Sequence, residues 1–201
     1  MASHEFRTPL AAINATADVI LRYYDRLNQD DIYQRLEKIK REVKDMTIML
    51  EDILIIGKSE SQMLVYNPVK INLVEEVKKI TADYQLAESG DREIKVYYAT
   101  ENIPLNADPK WIKHIAINLL SNALKYSEKE IEIVIKEENE QVVLMVKDQG
   151  IGISEKDQKK LFDPFHRGEN VGNISGTGLG LSVLEKAVAL HGAKIEVESK
   201  P

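Results

Sequence analysis

The chain has 201 residues, of which 43% are hydrophobic and 30% charged, and it carries a net charge of -6. This length suffices for two small domains, and the acidic balance argues against a nucleic-acid partner, because neutralising phosphates requires a basic surface. The absence of cysteine excludes disulfides and thiolate metal sites, and no run of 18 apolar residues is available to span a membrane.

A cytoplasmic location is expected, because a chain without cysteine suits a reducing compartment and no signal peptide is visible. We expect no membrane contact by this segment. Met1-Ala2-Ser3 reads as an added start on a fragment, so a membrane anchor upstream in a longer parent protein stays open.

Apolar residues recur through the first 56 positions at alternating spacings of four and three, which is a heptad seam. The first seam comprises Phe6, Leu10, Ile13, Ala17, Ile20, Tyr24 and Leu27. The second comprises Ile32, Leu36, Ile39, Val43, Met46, Leu50 and Ile53. Polar residues 28–31 supply capping groups for the second helix. The pattern predicts an antiparallel helical hairpin.

Further apolar residues widen the second stripe beyond a two-helix seam: Ile48, Met49, Leu54, Ile55 and Ile56. A single hairpin does not bury both sides of such stripes. We therefore expect a homodimer, in which two hairpins pair through residues 4–56 as a four-helix bundle. The alternative is a monomeric hairpin packed against the rest of the chain.

The rest of the chain reads as a mixed α/β domain, which gives a helical domain over residues 1–63 and a second domain over 64–201. Helices are predicted over residues 72–88, 108–126 and 181–191, with Asn72 and Asp108 as caps and Pro109 at a first helical position. Strands are predicted over residues 93–100, 131–136, 142–147 and 193–198. The remaining segments are predicted as a connector at 57–71, a turn at 137–140 and a loop at 168–180.

Seven of the ten glycines fall between residues 150 and 180, and five of these form two clusters. Gly150 and Gly152 follow a predicted strand, and the run from Gly176 to Gly180 leads directly into a helix. Glycines before a helix let backbone N–H groups approach an anion, where the helix dipole adds a favourable potential. No Lys-Ser/Thr follows the glycines and their spacing is not GxGxxG, so neither the Walker loop nor the dinucleotide fingerprint is present.

The predicted helix at 108–126 carries Asn118, Asn122 and Lys125, whose spacing places them on one face. Amide oxygens ligate Mg²⁺, and a lysine ammonium pairs with phosphate oxygens. Three polar residues on a helix are by themselves more typical of a solvated stripe. Together with the two glycine clusters they predict a site for a nucleotide and a cation.

These segments resemble the ATP-binding domain of histidine kinases, in the superfamily that includes type II topoisomerases. Residues 118–126 match the N box, 148–152 the G1 box, 161–168 the F box and 176–181 the G2 box, in the order and spacing of the family. The resemblance covers nearly the whole chain. It implies an α/β sandwich of the Bergerat type after the helical hairpin.

The resemblance also implies a role for each matching residue. Asp148 accepts the adenine amino group, and Asn122, helped by Asn118, holds Mg²⁺. Lys125 and Arg167 neutralise phosphate charge. The nucleotide pocket is lined or closed by Tyr126, Gly150, Gly152, Phe162, Gly176, Thr177, Gly178, Leu179 and Gly180. Residues 163–177 form a mobile lid, although Phe162, Phe165 and Trp111 also read as packing residues.

Residues 4–10 match the H box of the same family. With Leu10 and Ile13 at core positions of the heptad, His4, Glu5 and Thr8 fall at outward positions. The resemblance implies that His4 accepts the phosphoryl group. It also implies that Glu5 accepts the imidazole proton and that Glu5 and Thr8 orient water for dephosphorylation of a partner. A proline follows at position 9, where a bend in the helix is a further hypothesis.

We interpret the chain as a two-component sensor histidine kinase core, a protein-histidine kinase that uses ATP and Mg²⁺ and passes phosphate from His4 to an aspartate of a response regulator receiver domain. Phosphatase activity toward that regulator stays open. The alternatives are a dimeric signalling scaffold without phosphotransfer and an ATP-driven conformational clamp.

The chain begins almost at the H box and ends at Pro201, where the family continues through a glycine-rich turn into another strand. We therefore expect an ATP-binding domain that stops short of its C-terminal strand. The remaining histidines, His114, His166 and His191, lack metal-ligand spacing and read as solvated or structural.

Overall fold

The computed structural model describes residues 2–87, 93–172, 174 and 176–200, with side chains described for residues 5–85, 93–172, 174 and 176–200. It divides into two compact units, Met1–Ser61 and Gln62–Pro201. In the described residues, none of the helices is both long and apolar enough to cross a membrane.

The first unit is the expected helical hairpin. Helix α1 (Ala2–Tyr23) leads through a 3₁₀ turn (Tyr24–Arg26) into helix α2 (Gln29–Glu60). Asn28 caps α2, since its side-chain oxygen accepts a hydrogen bond from the Asp31 amide at 2.8 Å. Helix α2 runs four residues beyond the end of the predicted apolar stripe, passing through Gly57.

The hairpin buries only part of its apolar stripes. Met49 and Ile55 are buried, whereas Leu36, Val43 and Leu50 are 48%, 50% and 51% exposed. These three residues recur every seven positions and therefore form one line along α2. A single hairpin thus leaves a continuous apolar line of α2 uncovered.

The second unit contains two small sheets. Strand β1 (Val69–Asn72) pairs antiparallel with β3 (Pro104–Ala107). The other sheet has the order β2-β4-β5, in which β2 (Ile94–Tyr98) is parallel to β4 (Ile131–Glu138) and β4 is antiparallel to β5 (Gln141–Lys147).

Three helices, α3 (Leu73–Ala87), α4 (Pro109–Tyr126) and α6 (Gly180–Leu190), build the hydrophobic core with the three-stranded sheet; α5 (Glu155–Gln158) is a single turn. Alternate residues of β4 are buried, namely Ile131, Ile133 and Ile135. The predicted caps are confirmed. Asn72 Oδ1 accepts from the Val74 amide at 3.2 Å, and Asp108 Oδ1 accepts from the Lys110 amide at 2.9 Å.

Three expectations about secondary structure were wrong. The strand predicted at 193–198 does not form; the described backbone there makes no ladder, and its neighbour Ser199 instead binds the amide of Ile153 at 2.9 Å. The predicted connector at 57–71 contributes to α2 and to β1. The β4–β5 turn is shorter than predicted, because Asn139 and Glu140 adopt φ values of 50° and 63°, which close a two-residue hairpin. Residue 88, the predicted end of α3, lies outside the described residues.

Asp52 is an exception to the apolar seam of the hairpin. It lies on α2 between buried Met49 and Ile55 and is only 7% exposed. Burial, assisted by the neighbouring Glu51 carboxylate, raises the pKa of Asp52 from 3.8 to about 6. The folded state therefore binds the Asp52 proton more tightly than the unfolded state, and this group's stabilisation is lost as pH rises from about 4 to 6. The pKa change corresponds to about 3 kcal/mol.

Replacing Asp52 with asparagine should therefore raise the thermal midpoint of unfolding at pH 7.5, by several degrees, and leave it nearly unchanged at pH 3.5, where the carboxyl of the folded protein is already neutral. Calorimetry at both pH values measures the difference. Asp45→Asn, at an exposed position of the same helix, is the matched control and should change neither midpoint by more than a degree or two. An equal effect of Asp52→Asn at both pH values would show that packing, not charge, is responsible.

Candidate nucleotide-binding site

The polar face of α4 lies directly against the glycines that precede α6. A Cβ atom added to Gly180 would overlap the side-chain oxygen of Asn118, and one added to Gly176 would overlap the Lys125 ammonium. The second glycine cluster therefore reaches the face of α4 from which Asn118 and Lys125 project. The backbone approaches these side chains more closely than any residue with a Cβ would permit.

The orientation of the Asn118 amide suits a cation. Its Nδ2 donates to the His114 carbonyl oxygen at 3.0 Å, which directs Oδ1 toward Gly180 and the glycine loop. Asn122 lies one turn further along the same helix and is half-buried. Amide oxygens are hard ligands of the kind that Mg²⁺ accepts. The described residues hold no group of three or more histidine, aspartate or glutamate side chains close enough to bind a metal, so a cation here would depend on amide oxygens and on the ligand itself.

The first glycine cluster is held against the end of α4. Ile151 donates its amide to the Tyr126 carbonyl oxygen at 3.2 Å, and a Cβ at Gly150 would overlap that same oxygen. Asp148 Oδ1 accepts from the Gly150 amide at 2.8 Å. Because Asp148 is exposed and this bond engages one carboxylate oxygen, the other oxygen can accept a hydrogen bond from a ligand.

The F-box segment and the second glycine cluster are joined through their backbones. Phe165 donates its amide to the Gly178 carbonyl oxygen at 2.9 Å, and a Cβ at Gly178 would lie 2.6 Å from the His166 carbonyl oxygen. Both residues at this crossing are left-handed, with φ of 64° at Phe165 and 69° at Gly178. A left-handed aromatic residue is strained, so the surrounding contacts must hold this junction in place.

Other predicted residues lie around the same loops with different exposures. Tyr126 and Phe162 are half-buried, and Arg167 is exposed. Burial raises the pKa of Tyr126, while the Arg167 guanidinium acts in the opposite direction, so these two side chains lie close together. Thr177 Oγ1 accepts from the Leu179 amide at 3.2 Å. Leu179 itself is fully buried, so its side chain packs in the core.

The predicted H-box residues belong to the first unit. His4 lies within α1, and its side chain is outside the described residues. Glu5 is half-buried and Thr8 is exposed one turn further along the helix. The predicted site residues therefore divide between the two units, with the predicted phosphoacceptor segment in the hairpin and every predicted nucleotide-site residue in the second unit.

A carboxylate that the motif analysis passed over anchors the start of the predicted lid. Buried Asp157 accepts from Ser154 Oγ at 2.8 Å and from the Glu169 amide at 3.4 Å, and its other oxygen lies 3.3 Å from His166 Nε2. These contacts, the Ser154 hydrogen bond first, hold the pKa of Asp157 below its ordinary value. The Ser-x-x-Asp spacing of a capping box was the available sequence signal. His166 is itself half-buried and lies beside this buried carboxylate.

Comparisons with known proteins identify both units. The family of the His Kinase A (phospho-acceptor) domain matches residues 1–62, and the family of the histidine kinase-, DNA gyrase B-, and HSP90-like ATPase matches residues 107–201. The sensor histidine kinase YkoH of Bacillus subtilis (strain 168) is 32% identical over 203 residues, covering 100% of this chain and 44% of the relative. The sensor histidine kinase RcsC of Escherichia coli (strain K12) is 32% identical over 209 residues, covering 99% of this chain and 21% of the relative. The chain thus spans less than half the length of these relatives.

Solved structures show the same architecture. The histidine kinase AdeS of Acinetobacter baumannii superposes with a TM-score of 0.71 at 22% identity, covering 93% of this chain and 86% of that one. The catalytic domain of the histidine kinase ThkA superposes with a TM-score of 0.54 at 26% identity, covering 61% of this chain and 80% of that one. The helical hairpin followed by an α/β domain is therefore the fold of a histidine kinase catalytic core.

Gly180→Ala should weaken the binding of an ATP analogue on the order of tenfold, or about 1.4 kcal/mol, because the new Cβ displaces the Asn118 amide. Calorimetric titration with a non-hydrolysable analogue measures the affinity. Gly57→Ala is the control: a Cβ there meets nothing within 4 Å, so this change should leave the affinity intact and modestly stabilise α2. Equal affinity of the Gly180 variant and the wild type would exclude the close approach as a feature of the binding site.

Proposed function

Because the chain belongs to the histidine kinase catalytic cores, we propose that it binds Mg-ATP, transfers the γ-phosphoryl group to its own His4, and passes it to an aspartate of a response regulator receiver domain. One observation carries the proposal. Three glycines leave backbone against Asn118, Lys125 and Tyr126, where any side chain would collide.

The nucleotide roles follow from the chemistry of each group. Asp148 accepts the adenine amino group, while Tyr126 and Phe162 line the nucleotide pocket. Asn122 and Asn118 hold Mg²⁺ through their amide oxygens. Mg²⁺, when bound, neutralises charge on the phosphate oxygens.

Charge on the transferring group is stabilised by cations and by backbone donors. Lys125 and Arg167 face the phosphates, and backbone N–H groups between Gly176 and Gly180 point at them from the start of α6. The residues at 163–177 close over the nucleotide and exclude water. Gly150 lets the loop after Asp148 lie directly against the Tyr126 carbonyl oxygen, and Gly152 supplies a left-handed backbone with φ of 66°.

His4 acts as the nucleophile. A neutral imidazole is competent near physiological pH, and Glu5 accepts the proton from one ring nitrogen so that the lone pair of the other attacks phosphorus. The N–P bond forms as the bond from phosphorus to the leaving ADP oxygen breaks. Glu5 immediately follows His4 in α1, which is consistent with this pairing.

We further propose that the chain is a homodimer through its hairpin, with residues 1–63 as the dimerisation and phosphotransfer domain and 64–201 as the ATP-binding domain. The uncovered line of Leu36, Val43 and Leu50 supports this, because a second copy can cover it. Burial of such a line in a four-helix bundle is the usual outcome of two facing heptad stripes. The alternative of a signalling scaffold without transfer predicts the same dimer but no phosphohistidine.

Incubation of the full chain with γ-labelled ATP and Mg²⁺ should label the protein with an acid-labile, base-stable phosphate. His4→Gln and Asn122→Ala should each abolish the label, the first by removing the acceptor and the second by removing a cation ligand. Asn106→Ala, an exposed asparagine of β3, is the matched control and should label at the wild-type rate. Sedimentation of all four proteins checks that the association state is unchanged. Stable nucleotide binding without label on the wild type would favour the scaffold.

Thr8→Ala should keep autophosphorylation and slow dephosphorylation of the phosphorylated receiver domain tenfold or more, whereas Glu5→Ala should impair autophosphorylation. Thr8 is exposed one turn from His4, where its hydroxyl can orient water but is not needed to polarise the imidazole. Helix propensity does not confuse the test, since alanine is the better helix former. The cognate receiver, phosphorylated beforehand and mixed with each variant plus ADP, provides the measurement. Equal loss of both activities in Thr8→Ala would indicate a structural part for this residue beside Pro9.

A further inference from the structure

The segment that leads from α2 into the second unit does not hang free before β1. Its residues 65–67, which we call the strap, are bound to the second unit's own surface. Trp111 Nε1 donates to the Val65 carbonyl oxygen at 2.9 Å, and the Asn67 amide donates to Asp108 Oδ2 at 2.9 Å. Between them, the ring of Tyr66 packs edge-on against His191, with ring centroids 5.0 Å apart.

The residues that bind the strap are among the most buried in the second unit. Trp111 is 2% and Asp108 6% exposed. Asp108 uses one carboxylate oxygen for the strap and the other to cap α4 at Lys110. Its own amide donates to His191 Nε2 at 3.3 Å, and His191 Nδ1 donates to the Ala187 carbonyl oxygen at 2.7 Å. The strap is therefore attached to the start of α4 and the end of α6 through a continuous set of hydrogen bonds.

Hydrophobic burial does not explain why the strap lies there. Val65 is 67% exposed and Asn67 is exposed, so two of its three residues gain little from leaving water. Its backbone groups are instead paired with two buried side chains of α4 and its cap. A connector that served only as a flexible link would not need a buried indole and a buried carboxylate to hold its main chain.

We propose that the strap sets the length of the tether between the two units, and that Trp111 is a positioning residue for the phosphorylation of His4; the kinetic part of this inference rests on the function proposed above. Helix α2 is capped at Ser61, and the strap begins at Val65. With the strap bound, the free tether has four peptide steps and extends at most about 14 Å. With the strap released, the next fixed residue is Val69 at the start of β1, and the free tether doubles to about 28 Å.

The longer tether changes the encounter of nucleotide and phosphoacceptor without changing either site. The effective concentration of a tethered partner falls roughly as the −3/2 power of tether length, so doubling the length lowers it about threefold. Release of the strap should thus slow the phosphorylation of His4 about threefold and leave nucleotide affinity unchanged. The separation of rate from affinity distinguishes this role from damage to the binding site.

Two variants weaken the strap from opposite sides, each by removing one of its three contacts. Trp111→Phe keeps an aromatic ring in the core but removes the N–H donor to Val65 together with part of the buried ring volume, while Tyr66→Ala removes the ring contact from the strap and leaves the core of the unit untouched. Met63→Ala, at an exposed residue of the free tether, is the matched control. An insertion of Gly-Ser-Gly-Ser between Gln62 and Met63 lengthens the tether while the strap stays bound.

Three measurements on the full chain test whether the strap sets the tether length. Amide hydrogen exchange at Asn67 reports the strap, calorimetry reports nucleotide affinity, and the initial rate of His4 labelling reports the encounter. Both strap variants should accelerate Asn67 exchange and slow labelling, by up to about threefold where the strap is fully released, at unchanged affinity. The insertion should slow labelling equally while Asn67 stays protected. Met63→Ala should match the wild type in all three.

If the Asn67 amide of the wild type exchanges as fast as that of Gln62, the strap is not bound and the inference is wrong. Variants that free Asn67 yet label at the wild-type rate would overturn its effect on the tether. If the wild type itself does not label, the proposed function is wrong. The tether length is then tested by a distance measurement that does not depend on activity. The chain has no cysteine, so spin labels can be placed at exposed Asp45 and Glu128 and diluted with unlabelled chain. Their distance distribution should broaden in both strap variants, and an unchanged width would reject the inference.

Discussion

The second unit depends on the carboxylate of Asp108. One of its oxygens satisfies an amide of the first turn of α4, which otherwise has no partner inside the helix, and the other holds the strap. The residue is buried, so an unpaired carboxylate would be costly there, and both oxygens are in fact paired. Helix α4 starts where it does because of this cap and the proline that follows it. The position of every nucleotide-site residue on α4 is set by that starting point.

The faces of α4 then determine where the glycines must be. Ile112, Ala116 and Leu120 commit one side of the helix to the core, while Asn118 and Lys125 project from another side toward the loops. The loops must approach these polar side chains without burying them under other side chains. Glycine at 176 and 180 meets that requirement because the backbone can come into contact with an amide and an ammonium directly. The glycines of these loops and the polar side chains of α4 therefore satisfy one steric requirement together.

Local signals in the sequence predicted the features that depend on neighbouring residues. The Asp-Pro start of α4, the alternation along β4 and the heptads of the hairpin all follow from periodicity or capping within a few positions. The pairing of β1 with β3 was missed, because each strand has four residues and a helix and another strand lie between them. Alternation at 193–198 predicted a strand that does not form, since periodicity cannot supply a partner for its backbone. The contacts of Asp108 with Asn67 and with His191 join residues 41 and 83 positions apart, and no local pattern announces them. No local pattern predicts the left-handed conformation of Phe165 either, because the crossing with Gly178 imposes it.

Because the predicted site residues are divided between the two units, the segment that connects the units can affect the reaction without contributing a site residue. On the proposed function, Asn118, Asn122 and Lys125 present the nucleotide from α4, while the acceptor His4 belongs to the hairpin. The rate of transfer then depends on the chemistry at phosphorus and on how often the two units meet. The strap is attached to the first turn of α4, the helix that carries the nucleotide residues, by Trp111 and Asp108. A rearrangement at the start of α4 that releases the strap would therefore lengthen the tether directly. Coupling of this kind needs no additional contact between the units, because it follows from where the connecting chain is fastened.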